Sequence, residues 1–265
     1  MTPDPRVHRR VEQLMGLPVS LALRGRHADD GLADDAWARA VEQLREVDRV
    51  FSTYREDSWV SRLGRGEVEV ADCPPEIAEV LALGEEARRE SFGAFDVRRP
   101  AADGRRVLDP SGVVKGWAVA RAARLFEGLP ETDVCLSAGG DMVARTAAPG
   151  STGWRIGVED PADPTRVVAV VPVRDGAVAT SGSVHRGAHV THARSGAVPT
   201  AVASVTVVAA DLTWADIDAT AAFALDAEGP AWLRTRPGRR AVVVWADGRT
   251  EVVQGVAPAG AAVSG

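Results

Sequence analysis

The chain has 265 residues, 45% of them apolar and 26% charged, which is ordinary for a folded protein with ample core. A formal charge of −6 lacks the basic footprint that nucleic acid needs, so nucleic acid is not an expected partner. The two cysteines, Cys73 and Cys135, fit neither a disulfide framework nor a zinc spacing.

The first residues carry no apolar signal segment, and no later run is long enough to span a bilayer. A cytoplasmic location without membrane insertion is therefore expected. Residues 15–24 alternate apolar and polar from Val19 to Leu23, which predicts a strand. Residues 31–50 predict a helix, with Trp37, Val41, Leu44 and Val47 as its apolar stripe. Residues 50–58 end in a turn that carries Tyr54, the only tyrosine. Its ring can stack on a planar ligand, or pack with its hydroxyl in water. Pro74-Pro75 opens a second predicted helix, 75–90, with Ile77, Val80, Leu81 and Gly84 inward. Gly93-Ala94-Phe95-Asp96 follows as a tight loop bearing one carboxylate.

The stretch 107–126 is the most informative. All 31 basic residues are arginine except Lys115. A surface ion pair would accept arginine, whereas a phosphate contact can require a compact point charge on a flexible stem. Ser111-Gly112 and Gly116 flank Lys115 and allow close backbone approach. Ala118, Ala122 and Leu125 recur at helical spacing, so the sequence reads as a loop feeding a helix N-terminus, where anions are favoured.

Residues 133–145 predict a buried strand, a Gly139-Gly140-Asp141 turn and a returning strand; alone, such a turn is an ordinary hairpin signal. Strands are predicted at 154–158, 167–173, 177–182 and 203–209. Residues 185–192 hold three of the five histidines, His185, His189 and His192, in a glycine-rich loop without metal-helix spacing. Residues 213–225 predict a helix with Thr213 as N-cap. Asp216 and Thr220 sit one turn apart on it, as oxygen ligands for a hard cation or as a carboxylate beside a back-bonded threonine. A hairpin over 241–253 and a frayed tail over 255–265 close a single domain, 1–265, without repeats or linker.

In this order, Phe51-Ser-Thr-Tyr54 with Ser58, Gly93-Ala-Phe-Asp96, Val114-Lys-Gly-Trp-Ala118, Gly139-Gly-Asp141, Thr180-Ser-Gly182 and Ala215-Asp-Ile-Asp-Ala-Thr220 resemble the ApbE family, the FAD:protein FMN transferases. The resemblance spans residues from Met15 to about 250. It implies an α+β fold of mixed or antiparallel sheets with packed helices and an FAD cleft between two halves. It implies Mg²⁺-dependent transfer of the FMN half of FAD to a Ser or Thr of an acceptor flavoprotein, releasing AMP. Carried over residue by residue, it places the metal on Asp216, Thr220 and the carbonyl of Gly112, a position often Ala in the family. It places FAD contacts at Met15, Tyr54, Ala94, Phe95, Asp96, Asp109, Lys115, Gly139, Gly140, Asp141, Thr180, Ser181, Gly182 and His189, with Lys115 and His189 as catalytic groups.

The sequence departs from the family pattern at His192-Ala193, usually Asp-Pro, at Ser137, usually Asn, and at Ala120, usually Asp. Two other activities are compatible with the same residues: an FAD pyrophosphatase that uses water as acceptor, and a non-catalytic FAD-binding protein.

Overall fold

A computed structural model describes residues 6–100, 104–182 and 190–256. The expected histidines His185 and His189 lie outside the described residues, as do 257–265 of the expected tail.

The chain opens with a hairpin, β1 (His8–Leu14) and β2 (Leu17–Gly25), turning at Met15-Gly16, both with positive φ. Helix α1 (Gly31–Phe51) follows, capped by Asp30, whose carboxylate accepts from the N–H groups of Leu32 and Ala33. Short α2 (Trp59–Gly64) and then α3 (Pro75–Glu90) come next, α3 with the expected bounds and with Ile77, Val80 and Gly84 buried. A small hairpin, β3 (Arg98–Pro100) and β4 (Arg106–Leu108), leads into α4 (Ser111–Ala123). Then come β5 (Thr132–Ala138), β6 (Asp141–Arg145), β7 (Trp154–Asp160), β8 (Asp163–Val173), β9 (Gly176–Gly182) and β10 (Val202–Ala209). Helices α5 (Leu212–Ala224) and α6 (Gly229–Arg234) precede a final hairpin, β11 (Arg240–Trp245) and β12 (Thr250–Gln254).

Eight strands form one sheet in the order β1-β2-β5-β6-β9-β10-β11-β12, every pair antiparallel. Side chains alternate between its faces. Val134, Leu136 and Ala138 of β5 and Ala177 and Ala179 of β9 join the main core with α1, α3, α4 and α5. Cys135 and Val178, one residue out of phase, face a second cluster with Ile156 and Val173 from the β7–β8 hairpin. That hairpin is an excursion between β6 and β9, which pair directly with each other. Buried Arg24 pins its base: the guanidinium donates to Asp133 Oδ2 and to the Gly153 carbonyl, each at 2.8 Å, and lies 4.1 Å over the Trp154 ring.

Two expectations are corrected. Helix α4 begins at Ser111, so Lys115 lies inside the helix rather than in a loop before it. Burial of Val113, Val114, Trp117, Ala118 and Val119 overrides the weak helix propensity of Gly and Val. Helix α5 begins at Leu212, and its cap is Asp211, whose side chain accepts from Trp214 N–H; Thr213 is buried within the first turn.

Candidate active site

Helices α4 and α5 pack against each other at Gly116. A Cβ there would stand 2.7 Å from the Leu212 carbonyl and 2.8 Å from Asp216 Cβ, so only glycine permits this approach. The closeness lets Gly116 N–H donate to Asp216 Oδ2 at 3.0 Å. In a regular helix that N–H would close onto the Gly112 carbonyl. Asp216 Oδ1 faces Lys115 Nζ at 3.2 Å, and the same ammonium contacts Asp141 Oδ2 at the start of β6. Asp141 Oδ1 accepts from Thr180 N–H at 3.0 Å. Ser181 Oγ and Thr220 Oγ1 share a hydrogen bond of 3.0 Å, which ties β9 to α5. Burial pushes the Asp216 carboxyl up to about 7; Lys115 pulls it down and Asp141 adds to the rise.

This cluster forms one wall of a cavity of about 540 Å³. Of the residues expected to bind ligand or metal, Ala94, Phe95, Asp96, Asp109, Gly112, Lys115, Gly139, Gly140, Thr180, Ser181, Gly182, Asp216 and Thr220 line it. Five of the six motifs scattered along the chain thus contribute to one cleft, and the Tyr54 turn does not. Phe95 explains the glycine at 112: a Cβ there would meet the Phe95 ring at 2.9 Å. Asp96 and Asp109 are held by the β3–β4 hairpin, through ion pairs with Arg106 and Arg99 respectively. Asp96 Oδ1 also accepts from Arg98 N–H, and Asp109 Oδ1 from Ser111 N–H.

The loop after residue 189 is braced in its own way. His192 stands where the family usually has Asp; its Nδ1 accepts from Ser195 N–H at 3.3 Å, and its carbonyl accepts from Gly196 N–H at 2.7 Å. Ala193 N–H donates to the Ala94 carbonyl at 3.0 Å, docking this loop on the Gly-Ala-Phe-Asp loop. Both Val190 and Ala193 line the cavity.

Three expected residues stand apart from the cavity wall. Tyr54 is 97% exposed. Met15 packs against the main core, while its neighbours Leu17 and Pro18 reach the cavity. Asp141 lies behind the wall, where its Oδ2 contacts Lys115 Nζ. The cavity also has lining that sequence reasoning missed: Met142, Ser204, and Gly157 to Glu159 with Pro161 at the hairpin tip. A register shift between Val202 and Ser204 in β10 sits beside this region.

The donors suit a hard cation. Asp216 carboxylate, Thr220 hydroxyl and a main-chain carbonyl are all oxygen ligands. Among the described residues no three His, Cys, Asp or Glu side chains converge as a cage. A cation here would complete its shell with water and ligand oxygens, which is the habit of Mg²⁺ rather than of Ca²⁺ or Zn²⁺.

A family model described as the ApbE family matches residues 15–102 and 101–244. The chain belongs to the ApbE family. Its fold is likewise that of solved ApbE structures. Flavinyl transferase ApbE from Pseudomonas stutzeri matches at a TM-score of 0.78 and 21% identity, over 94% of this chain and 96% of that one. Flavin transferase ApbE from Vibrio cholerae matches at 0.77 and 20%, over 95% and 98%. The ApbE protein from Thermotoga maritima matches at 0.71 and 21%, over 94% and 97%. No curated protein matches the chain. The α+β architecture expected from the ApbE resemblance is the one observed, and among the described residues no helix is long and apolar enough to cross a membrane.

Proposed function

We propose that this ApbE-family chain is a Mg²⁺-dependent FAD:protein FMN transferase, acting on a cytoplasmic acceptor flavoprotein. The convergence of Lys115, Asp216, Thr220 and Gly112 with the Gly-Gly-Asp, Thr-Ser-Gly and Gly-Ala-Phe-Asp segments around one cavity carries this reading. FAD would lie in the cleft, with its diphosphate toward α4 and α5. Asp216, Thr220 and the Gly112 carbonyl would hold Mg²⁺, which supplies charge neutralisation at the diphosphate. Lys115 adds a second positive charge beside the same oxygens. The acceptor hydroxyl oxygen bonds to the FMN phosphorus, the bond from that phosphorus to the AMP oxygen breaks, and the hydroxyl proton passes to a base. His189 is assigned that role by the family resemblance, since a free imidazole titrates near neutrality. Docking of the following loop on Ala94 supports an organised acceptor side.

Intact-mass spectrometry tests the assignment. An acceptor domain carrying an Asp-x-x-Thr-Gly-Ala-Thr motif is incubated with the protein, FAD and Mg²⁺. A gain of one FMN that EDTA abolishes is expected. AMP release with no acceptor present would establish the pyrophosphatase instead, and tight FAD binding without AMP release would establish a binding protein.

The pH dependence of cation binding follows from Asp216. Its folded-state pKa is raised from 3.8 to about 7, so the protonated form dominates below neutrality. A cation binds the ionised form. Mg²⁺ affinity is expected to rise with pH up to about pH 7, by as much as about tenfold per unit, and to level off above. Calorimetric titration at several pH values measures this; a flat profile would place the cation elsewhere.

A further inference from the structure

Two carboxylates and one ammonium share buried ground between α4, α5 and β6. Asp141 is 1% exposed and Asp216 2%. Each commits one oxygen to a backbone N–H: Asp141 Oδ1 to Thr180 and Asp216 Oδ2 to Gly116. The other oxygens, Asp141 Oδ2 and Asp216 Oδ1, both face Lys115 Nζ. No conventional hydrogen bond reaches Asp141 Oδ2, so the ammonium is what compensates its burial. With both carboxylates ionised, the three groups sum to −1.

A divalent cation on Asp216 changes that balance. With the ammonium retained, the group would carry +1, with two cations a few ångströms apart where water screens poorly. With the ammonium withdrawn, the two carboxylates and the cation sum to zero. Lys115 has somewhere to go, because its side chain is 16% exposed and lines the cavity.

We propose that Lys115 is the resident counter-ion of the cation site. Its ammonium holds Asp141 and Asp216 together in the cation-free protein, yields Asp216 to the divalent ion, and turns into the cleft to meet the diphosphate of the ligand. The proposal rests on the cation and FAD reading above. A lysine suits this better than an arginine, since a point charge on a flexible stem can exchange one anion for another. Cation and diphosphate then bind with positive coupling: the ligand draws the ammonium off the carboxylates, and the cation frees it for the ligand.

Calorimetric titration of Mg²⁺ into FAD-free protein tests the exchange. Lys115→Met is compared with wild type, as is the double variant Lys115→Met with Asp141→Asn. The double variant removes a cation and an anion together, so it keeps the net charge and leaves no unpaired Asp141 carboxylate, while Asp216 keeps the Gly116 N–H. Both are expected to bind Mg²⁺ at least about tenfold more tightly than wild type. In wild type, FAD should raise Mg²⁺ affinity several-fold, and the gain should shrink in both variants. If the double variant, folded by circular dichroism, binds Mg²⁺ no more tightly than wild type, the counter-ion role is overturned while the cation site stands. If wild type itself binds no Mg²⁺ with or without FAD, the cation reading and this proposal fall together.

Discussion

Replacing Asp216 with alanine is expected to lower Mg²⁺-dependent AMP release by at least about a thousandfold, equivalent to about 4 kcal/mol of transition-state stabilisation. Asp216 is the only carboxylate of the D-x-x-x-T helix turn that faces the cavity, and it is oriented from both sides, by Gly116 N–H and by Lys115. Thr220 and the Gly112 carbonyl are neutral and cannot replace its charge. The fold should survive, because Lys115 keeps Asp141 as its partner. Stability should even improve in alkaline solution. Burial raises the folded-state pKa of Asp216 from 3.8 to about 7, so its contribution to stability is fully present below pH 3.8 and lost as pH rises through about 7. Above that, wild type carries the full cost of a buried carboxylate, and the alanine variant does not. Thermal melts of the metal-free proteins at about pH 8, alongside AMP assays, measure both effects. Undiminished Mg²⁺-dependent activity in the variant would sink the assignment of the site.

The second large effect is expected at Gly116, a residue with no side chain to contribute. Gly116→Ala gains about 0.5–1 kcal/mol of helix propensity. Against this, the methyl would sit 2.7 Å from a backbone carbonyl and 2.8 Å from Asp216 Cβ, neither of which can rotate away. Overpacking of this kind costs about 1–3 kcal/mol, and the rigid neighbours place it at the upper end. A fall in Tm of several degrees is expected. The catalytic effect should be larger, since relief of the clash moves Asp216 away from its N–H donor, and a displacement of about 1 Å can cost about a hundredfold. A variant that melts and turns over like wild type would show that α4 and α5 separate freely, and that their closeness does not position the carboxylate.

Much of this was legible in the sequence. The apolar stripe of α1 and the Pro75 start of α3 give those helices almost to the residue, and most strands of the large sheet are predicted, β2 by alternation. The losses have physical causes. Strand β1 is an edge strand whose alternating positions are largely Arg, Glu and Gln, so its pattern carries little apolar contrast. The start of α4 is dominated by Gly and Val, which read as loop or strand until burial decides. At the site, motif order located most of the cavity wall, and the lone lysine marked its centre. What no spacing reveals is the grouping of Lys115, Asp141 and Asp216, which come from three elements far apart in the chain. The hairpin tip was invisible for the same reason: strands β7 and β8 were foreseen, but where their turn lands depends on β6 pairing directly with β9.

That direct pairing, together with the pairing of β2 to β5 across the whole first helical region, also bears on how the protein is made. Long loops must close before these contacts form, which favours slow folding. Lys115 emerges from the ribosome well before Asp216, and their contact cannot form until α5 packs on α4. The nascent chain should therefore hold its secondary structure before it can hold a ligand, and the binding cleft should be among the last features to mature.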